Sequence, residues 1–264
     1  MAAARVKQDL AAQVQACLAM VMDPELDEPV TELGFVTDVE LLEEGEVRIG
    51  FRLPTYWCAA NFAFLMADDM RLAVEALPWV SRVRVQLHEH MYAEAINRGV
   101  ADGKGFQASF GAAAEGDLEA LRRTFALKAF QRRQAALLEH LLGAGCEAPA
   151  LVALDLEALE GLPLLDAEGQ RLVERYLERR AVACGGTRAF VDIAGDPIAA
   201  DALPGHLRDL RRVGVNAEFN GALCRGLLAV RYGEAEPQPI RIVRRPRPAD
   251  DLSSRGVAPA CAKF

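Results

Sequence analysis

Residues 35–58 read FVTDVELLEEGEVRIGFRLPTYWC and contain two strand-like runs joined by a tight turn. Apolar and polar side chains alternate over residues 35–41 and again over 46–53. Alternation with a period of two is typical of strands that bury one face. The Glu-Glu-Gly sequence at 43–45 is a turn signal, and Pro54 ends the second run. This stretch therefore predicts a β-hairpin with one buried face.

Amphipathic helices and one further strand surround this hairpin. Apolar spacing predicts a helix over residues 6–22 before it and a helix over 59–77 after it, and alternation returns over 82–87. A right-handed helical crossover would make the strands at 46–53 and 82–87 parallel. The element order predicts a small α-β-β-α-β domain of the α+β class, with its hairpin and crossover strand covered by helices on one face.

The second half of the chain has a different pattern. It predicts a mainly helical α/β domain, with helices over 117–143, 151–160, 166–182 and 201–213, a strand over 187–193, and either state over 222–232. Glycine and alanine dominate the segment between the two halves, and proline and arginine dominate the end. We therefore expect four regions: a first domain over 1–100, a linker over 101–116, a C-terminal domain over 117–235, and a flexible tail over 236–264.

Charge separates the two halves as well. Residues 1–110 carry 9 Lys and Arg against 17 Asp and Glu, a net charge of −8, whereas the remaining residues carry 21 of each. No broad basic field is present, which argues against nucleic acid as a partner. No run of 18 apolar residues is present, which argues against a membrane span. The N-terminus is also unlike a signal peptide, so we expect a cytoplasmic protein.

The six cysteines include no pair at CxxC spacing, so a zinc ribbon or a local cluster-binding run is not predicted. Cys184 and Cys224 are expected to be core thiols, and Cys261 an exposed thiol in the tail. The arginine-rich segment at 122–133 is typical of a solvated helix face, although it could meet an acidic partner.

The predicted topology brings polar side chains to one edge of the sheet. This rim collects Thr55 and Cys58 after the second strand, His88 and His90 after the third strand, and Asp23 and Glu25 before the first strand.

Cys58 is the most reactive of these groups. It lies at or just before a helix N-terminus, where the helix dipole favours a thiolate that can bind a soft metal or attack an electrophile. The alternative is a small buried residue. Thr55 has the simpler interpretation of a helix cap, and the neighbouring Tyr56 and Trp57 are expected to pack.

The other rim residues also have simpler interpretations. Because His88 and His90 alternate along a strand end, only one of them is expected to face Cys58, and each is otherwise a surface or hydrogen-bonded histidine. Asp23 and Glu25 are more often turn and cap residues than ligands.

Short motifs in a fixed order resemble a known family. The helix followed by Asp23-Pro24-Glu25, ELGFV at 32–36, PTYWC at 54–58, and the LPWV strand over 77–87 are similar to the PaaD/SufT-like iron–sulfur cluster assembly domain, over roughly residues 6–100. The extended form resembles proteins encoded beside bacterial multicomponent di-iron monooxygenases. The chain departs from the family pattern beside the cysteine, where Trp57 and Ala59 replace glycine and proline, which suggests a specialised client or a different metal.

The resemblance implies a maturation factor rather than an enzyme. It would bind iron or an iron–sulfur cluster transiently through Cys58, Thr55, Asp23 and Glu25. The predicted rim adds His88 and His90 as candidate metal ligands. Its partners would be a client metalloenzyme, such as a monooxygenase component, and a second copy in a homodimer, with no nucleic acid and no membrane. The alternatives are a metal-independent chaperone or scaffold for a monooxygenase subunit and, less favoured, a thiol enzyme using Cys58 with a histidine base.

Overall fold

A computed structural model of the protein describes residues 2–111, 117–163, 166–184, 186–233 and 238–245. Its centre is a four-stranded mixed sheet with the strand order β3-β2-β1-β4. The strands are β1 (Val36–Leu42), β2 (Glu46–Phe51), β3 (Arg82–Leu87) and β4 (Arg241–Arg245). β2 pairs antiparallel with β1 and parallel with β3, so both the hairpin and the crossover are confirmed.

The hairpin turn depends on one glycine. A short 3₁₀ turn, Glu43–Gly45, joins the two strands, and Gly45 has a φ of +77°. A Cβ atom at this position would lie 2.3 Å from the backbone oxygen of Trp79. Only glycine combines this left-handed backbone with such a close approach. The turn therefore packs directly against the loop that leads into β3.

Four helices complete the first half: α1 (Ala2–Ala19), α2 (Ala60–Glu75), α3 (Ala93–Ala101) and α4 (Phe106–Phe110). Their apolar faces bury the inward side of the sheet in a first core, which includes Leu18, Val39, Ile49, Phe51, Phe64, Met70 and Val85. The predicted α+β class is confirmed. α4 lies within the segment predicted to be a linker, and its Phe106 packs edge-on against Phe64 with ring centroids 5.6 Å apart.

Five helices form most of the second half: α5 (Leu118–Gly143), α6 (Ala148–Ala153), α7 (Leu156–Glu160), α8 (Ala167–Arg180) and α9 (Leu203–Tyr232). They enclose a second core that includes Phe130, Leu138, Val173, Tyr176, Phe190 and Leu207. The strand predicted over 187–193 forms only isolated bridges, at Arg188 and Val191. The undecided segment 222–232 is helical. No described helix is long and apolar enough to cross a membrane.

The C-terminal part of the chain returns to the first core. α9 contributes Leu207 and Leu210 to the second core and Leu228 to the first. β4 then pairs in parallel with β1, and Ile242 packs against the first core. Residues 241–245 therefore differ from the flexible tail predicted over 236–264, because backbone pairing with β1 orders them. Residues 246–264, including Cys261, lie outside the described residues.

Candidate functional site

The site lies at the edge of the sheet where β2 and β3 end. Cys58 follows β2 and immediately precedes Ala59, the N-cap residue of α2. Because β2 and β3 are parallel, the segment that follows β3 lies beside Cys58. The predicted placement of Cys58 next to a helix N-terminus is therefore what the structure shows.

Thr55 contacts the thiol directly. Its Oγ1 lies 3.0 Å from Cys58 Sγ, whereas α2 has no side-chain hydrogen bond at its N-cap. The simpler interpretation of Thr55 as a helix cap is therefore wrong. Its hydroxyl can instead donate a hydrogen bond to a thiolate at Cys58.

His90 is the histidine that lies against Cys58. Its Nε2 is 2.8 Å from the Cys58 backbone oxygen, and its Nδ1 accepts a hydrogen bond from the Tyr92 backbone N–H at 3.2 Å. Since Nδ1 is the acceptor, Nε2 carries the proton and donates a hydrogen bond to the carbonyl oxygen. Burial lowers the pKa of His90, although this hydrogen bond acts in the opposite direction. Metal binding by His90, or proton transfer from Sγ to it, would require one of these hydrogen bonds to break.

His88 differs from His90 in its exposure. β3 ends at Leu87, and the His88 side chain is exposed while His90 is buried. That only one of the two histidines faces Cys58 stays a prediction, and the observed contact is that of His90 with the Cys58 backbone oxygen. A role for His88 as a metal ligand stays a prediction.

Asp23 organises the loop before β1. Its Oδ1 accepts hydrogen bonds from the backbone N–H groups of Glu25, at 2.9 Å, and Leu26, at 2.7 Å. Burial raises the pKa of the Asp23 carboxyl to about 6, although these two hydrogen bonds lower it. The negative charges of Glu25 and Glu28 raise the pKa further. Asp23 thus acts as the turn residue that its simpler interpretation describes, and a ligand role stays a prediction.

The second half of the chain covers this acidic loop, which we define as residues 23–28. Six described side chains reach it. Arg132 donates to the Glu25 backbone oxygen and Asn220 to Glu25 Oε1, Arg225 pairs with Glu28, and Asp27 is contacted by Arg133, Arg175 and Arg179. The acidic partner of the arginine-rich segment is therefore, in part, the chain's own first half.

α9 also contacts the rim around Cys58. Arg231 donates to the backbone oxygens of Leu53, at 3.2 Å, and Glu89, at 2.7 Å. Cys184 is exposed, so the prediction that it is a core thiol is wrong. Cys224 packs half-buried against the first core, so it is less enclosed than predicted. Burial, followed by the negative charges of nearby groups that include Asp23 and Cys58, raises the pKa of Cys224 to about 11.

Sequence reasoning missed the residues that α9 brings to the rim. Their signal was the helical spacing of Asn220, Cys224, Leu228 and Arg231, which places all four along one side of a helix. That signal has meaning only once residues 222–232 are assigned to a helix. The sequence left this assignment open.

Two exposed aromatic residues directly precede the cysteine. Tyr56 and Trp57 have exposed fractions of 51% and 72%, so the expectation that they pack inside is wrong. Within the described ranges, no group of three or more His, Cys, Asp and Glu side chains is placed to hold a metal ion. The described part of the chain therefore places a half-buried thiol, Cys58, beside an exposed aromatic pair.

Comparison with known proteins places residues 11–87 within a family model described as iron–sulfur cluster assembly protein. The chain is similar to the iron–sulfur cluster carrier proteins of Mycobacterium leprae (33% identical over 79 residues) and Mycobacterium tuberculosis H37Rv (34% over 79 residues). These matches cover 30% of this chain and 20% of each relative, so the chain spans about a fifth of the length of these mycobacterial proteins.

A shorter relative is matched over most of its length. The uncharacterized protein MJ1129 of Methanocaldococcus jannaschii is 30% identical over 80 residues, which are 30% of this chain and 82% of that protein. No solved structure matches the chain. The family model matches the first half, where Cys58, Thr55 and the acidic loop lie. Through this region, the chain belongs to the iron–sulfur cluster assembly protein family.

Proposed function

We propose that this protein carries iron or an iron–sulfur cluster to a client enzyme and binds that cargo through Cys58. The observation that carries the proposal is the position of Cys58, within the family region, at the N-terminus of α2 and 3.0 Å from the Thr55 hydroxyl. A thiolate in such a position is a ligand for iron, alone or in a cluster. The cargo is a transient passenger, and no catalytic step on an organic substrate is proposed.

The incomplete ligand set supports a shared site. Clusters of the common types are held by four protein ligands, and no group of three candidate ligands occurs among the described residues. We propose that a second copy of the chain supplies further ligands. A client protein would replace these ligands during transfer.

An exposed apolar stripe on α9 supports pairing with a second copy. It consists of Val215, Phe219, Leu223, Leu227 and Val230, all exposed large apolar side chains. In an antiparallel twofold pair, Leu223 would meet its own copy and Phe219 would meet Leu227. Because each copy contributes the same stripe to the interface, pairing would remove the apolar side chains of both copies from water.

The proposed client is an oxygenase component. This choice rests on the resemblance of the extended sequence to proteins encoded beside di-iron monooxygenases. Arginines of the arginine-rich segment already contact the acidic loop of the same chain. We therefore propose that the client binds the exposed aromatic pair Tyr56 and Trp57 beside Cys58. Aromatic residues are enriched at protein interfaces.

The first experiment measures iron and acid-labile sulfide, together with the visible absorption spectrum, on protein reconstituted without oxygen. Wild type is compared with Cys58→Ala and with Cys146→Ala, a matched control whose thiol packs against the second core. We expect iron in wild type and in the control, and loss of most of it in Cys58→Ala. Equal iron in all three proteins would sink the proposed role of Cys58.

A metal-independent chaperone is the second candidate, favoured by the exposed stripe on α9 and by Tyr56 and Trp57. Client binding distinguishes the two candidates. Wild type and Cys58→Ala are each mixed with the metal-free client, and complex formation is measured by size-exclusion chromatography. A chaperone would bind equally in both forms and would activate the client without iron bound to itself.

A further inference from the structure

α9 holds a second thiol at the rim that carries Cys58. One turn before Cys224, Asn220 donates a hydrogen bond to Glu25 Oε1 at 3.0 Å. Two turns after it, Arg231 donates to the backbone oxygens of Leu53 and Glu89. Cys224 is therefore fixed between two anchors, one on the acidic loop and one on the loops that follow β2 and β3.

Cys224 lies on the side of α9 that packs against the first core. Cys224 lies along the same side of α9 as its two anchors and the buried Leu228. Cys58 and Cys224 both pack, half-buried, against the first core. Cys58, Asp23 and Glu25 also lie near enough to Cys224 to interact with it electrostatically. Two thiols from distant parts of the sequence thus share one surface.

We propose that Cys224 is the second thiol ligand of the site and binds iron, alone or in an iron–sulfur cluster, together with Cys58. This inference rests on the proposed function, because Cys58 is its first ligand. Each sulfur loses its proton as the bond to iron forms, so that two protons pass to solvent and no redox change is required. Two soft sulfur ligands favour a thiophilic metal over magnesium or calcium.

Two ligands from one chain suit a carrier. A cargo held by two thiolates keeps coordination positions that a second copy can fill and that a client can take over. The site would also belong to both halves of the chain, because Cys58 lies in the family region and Cys224 lies in α9, outside residues 11–87.

Cobalt(II) is a direct probe, because thiolate ligands give it an absorption band in the near ultraviolet. Reduced, metal-free wild type, Cys58→Ala, Cys224→Ala, Cys224→Ser and Cys146→Ala are titrated with cobalt(II) without oxygen. We expect each site variant to lose about half of the band, since one of two sulfur ligands remains, and to bind cobalt about tenfold more weakly. Cys146→Ala should match wild type.

The outcomes separate this inference from the proposed function. A full band in both Cys224 variants, with loss in Cys58→Ala, would overturn the thiol pair and leave Cys58 as ligand. A band lost only in the Cys224 variants would overturn the proposed role of Cys58 and, with it, the pair. Far-ultraviolet circular dichroism and thermal unfolding show that each variant is folded.

A second measurement tests the pair without metal. Dibromobimane joins two neighbouring thiols, and peptide mapping identifies the residues joined. We expect a Cys58–Cys224 product in metal-free wild type and protection of both thiols by cobalt(II). Separate alkylation of the two thiols, with no joined product, would overturn the inference even if Cys58 alone binds metal.

Discussion

Cys58 is contacted by Thr55, which is close in sequence, and by His90, which the fold brings beside it. Thr55, three positions earlier, contacts Sγ, whereas His90, from the segment after β3, donates to the Cys58 backbone oxygen. The thiol is therefore held by its own loop, and the backbone that carries it is held by the neighbouring segment. This division predicts different effects for changes at the two positions.

Thr55→Val should slow alkylation of Cys58. Valine matches the shape of threonine but removes the hydroxyl that can donate to a thiolate. We expect the rate of reaction with iodoacetamide near pH 7.5 to fall by about tenfold, since one hydrogen bond to a charged group, of about 1.5 kcal/mol, is lost. Peptide mass spectrometry gives the rate at Cys58, with the exposed Cys184 as an internal reference. An unchanged ratio of the two rates would contradict this role of Thr55.

Asp23→Asn should stabilise the protein at neutral pH. Burial raises the pKa of Asp23 from 3.8 to about 6, so the folded state retains a proton that the unfolded chain releases at lower pH. The stability contributed by this group is present at low pH and is lost as the pH rises through about 6. Asparagine keeps the Oδ1 acceptor and removes the charge. We expect the free energy of unfolding near pH 7.5 to rise by about 1–3 kcal/mol.

Urea unfolding near pH 4.5 and near pH 7.5, followed by tryptophan fluorescence, measures this effect. The gain from Asp23→Asn should shrink at the lower pH, where the wild-type carboxyl is already protonated in the folded state. Asp201→Asn, at an exposed position, is the matched control. A gain of equal size at both pH values would show that charge at Asp23 is not the cause.

At the scale of elements, the sequence pattern predicted those helices and strands whose formation depends on residues close in sequence. The alternating runs in 35–53, Pro54 and the spacing over 59–77 were sufficient for the hairpin, the crossover and the helix behind Cys58. β4 was missed because Arg241–Arg245 reads as part of a basic, proline-rich tail, and its strand state depends on pairing with β1, about two hundred residues earlier. Likewise, the position of Cys224 depends on how α9 docks.

Leu223→Glu should break the proposed pairing of two copies. Leu223 lies at the centre of the exposed stripe on α9, where a twofold axis would bring two such side chains together. Two buried, unpaired carboxylates are strongly unfavourable, so we expect dimer dissociation to become at least about a hundredfold easier. Light scattering after size-exclusion chromatography measures the mass, with Arg208→Glu, elsewhere on α9, as the control. A monomeric wild type would contradict the pairing.

At the scale of the whole molecule, charge joins the two halves. Arginines of the second half form ion pairs with some of the excess carboxylates in residues 1–110. The most buried of the described pairs joins Asp27 to Arg133 through hydrogen bonds of 2.6 and 2.9 Å. Asp27 has a left-handed backbone with φ of 55° and also contacts Arg179 at 3.3 Å. The uneven charge seen in the sequence thus predicted two different surfaces, but it could not show that these surfaces face each other.

Arg133→Met should destabilise the whole protein. It leaves Asp27 buried without its main partner, and breaking a buried pair in this way costs about 3 kcal/mol. Arg171→Met, which removes an exposed pair with Glu168, should leave the free energy of unfolding unchanged. Thermal unfolding by calorimetry should also show two separated transitions in Arg133→Met if this contact couples the two cores. A single transition at the wild-type temperature would contradict that coupling.

The parallel pairing of β4 with β1 has a consequence for how the protein is made. A ribosome releases residues 11–87 early, but the edge strand of their sheet is synthesised only after α9. Until then, the β1 edge has unpaired N–H and C=O groups, which invite pairing with another chain. We therefore expect the nascent first half to expose this edge until almost all of the described chain has emerged.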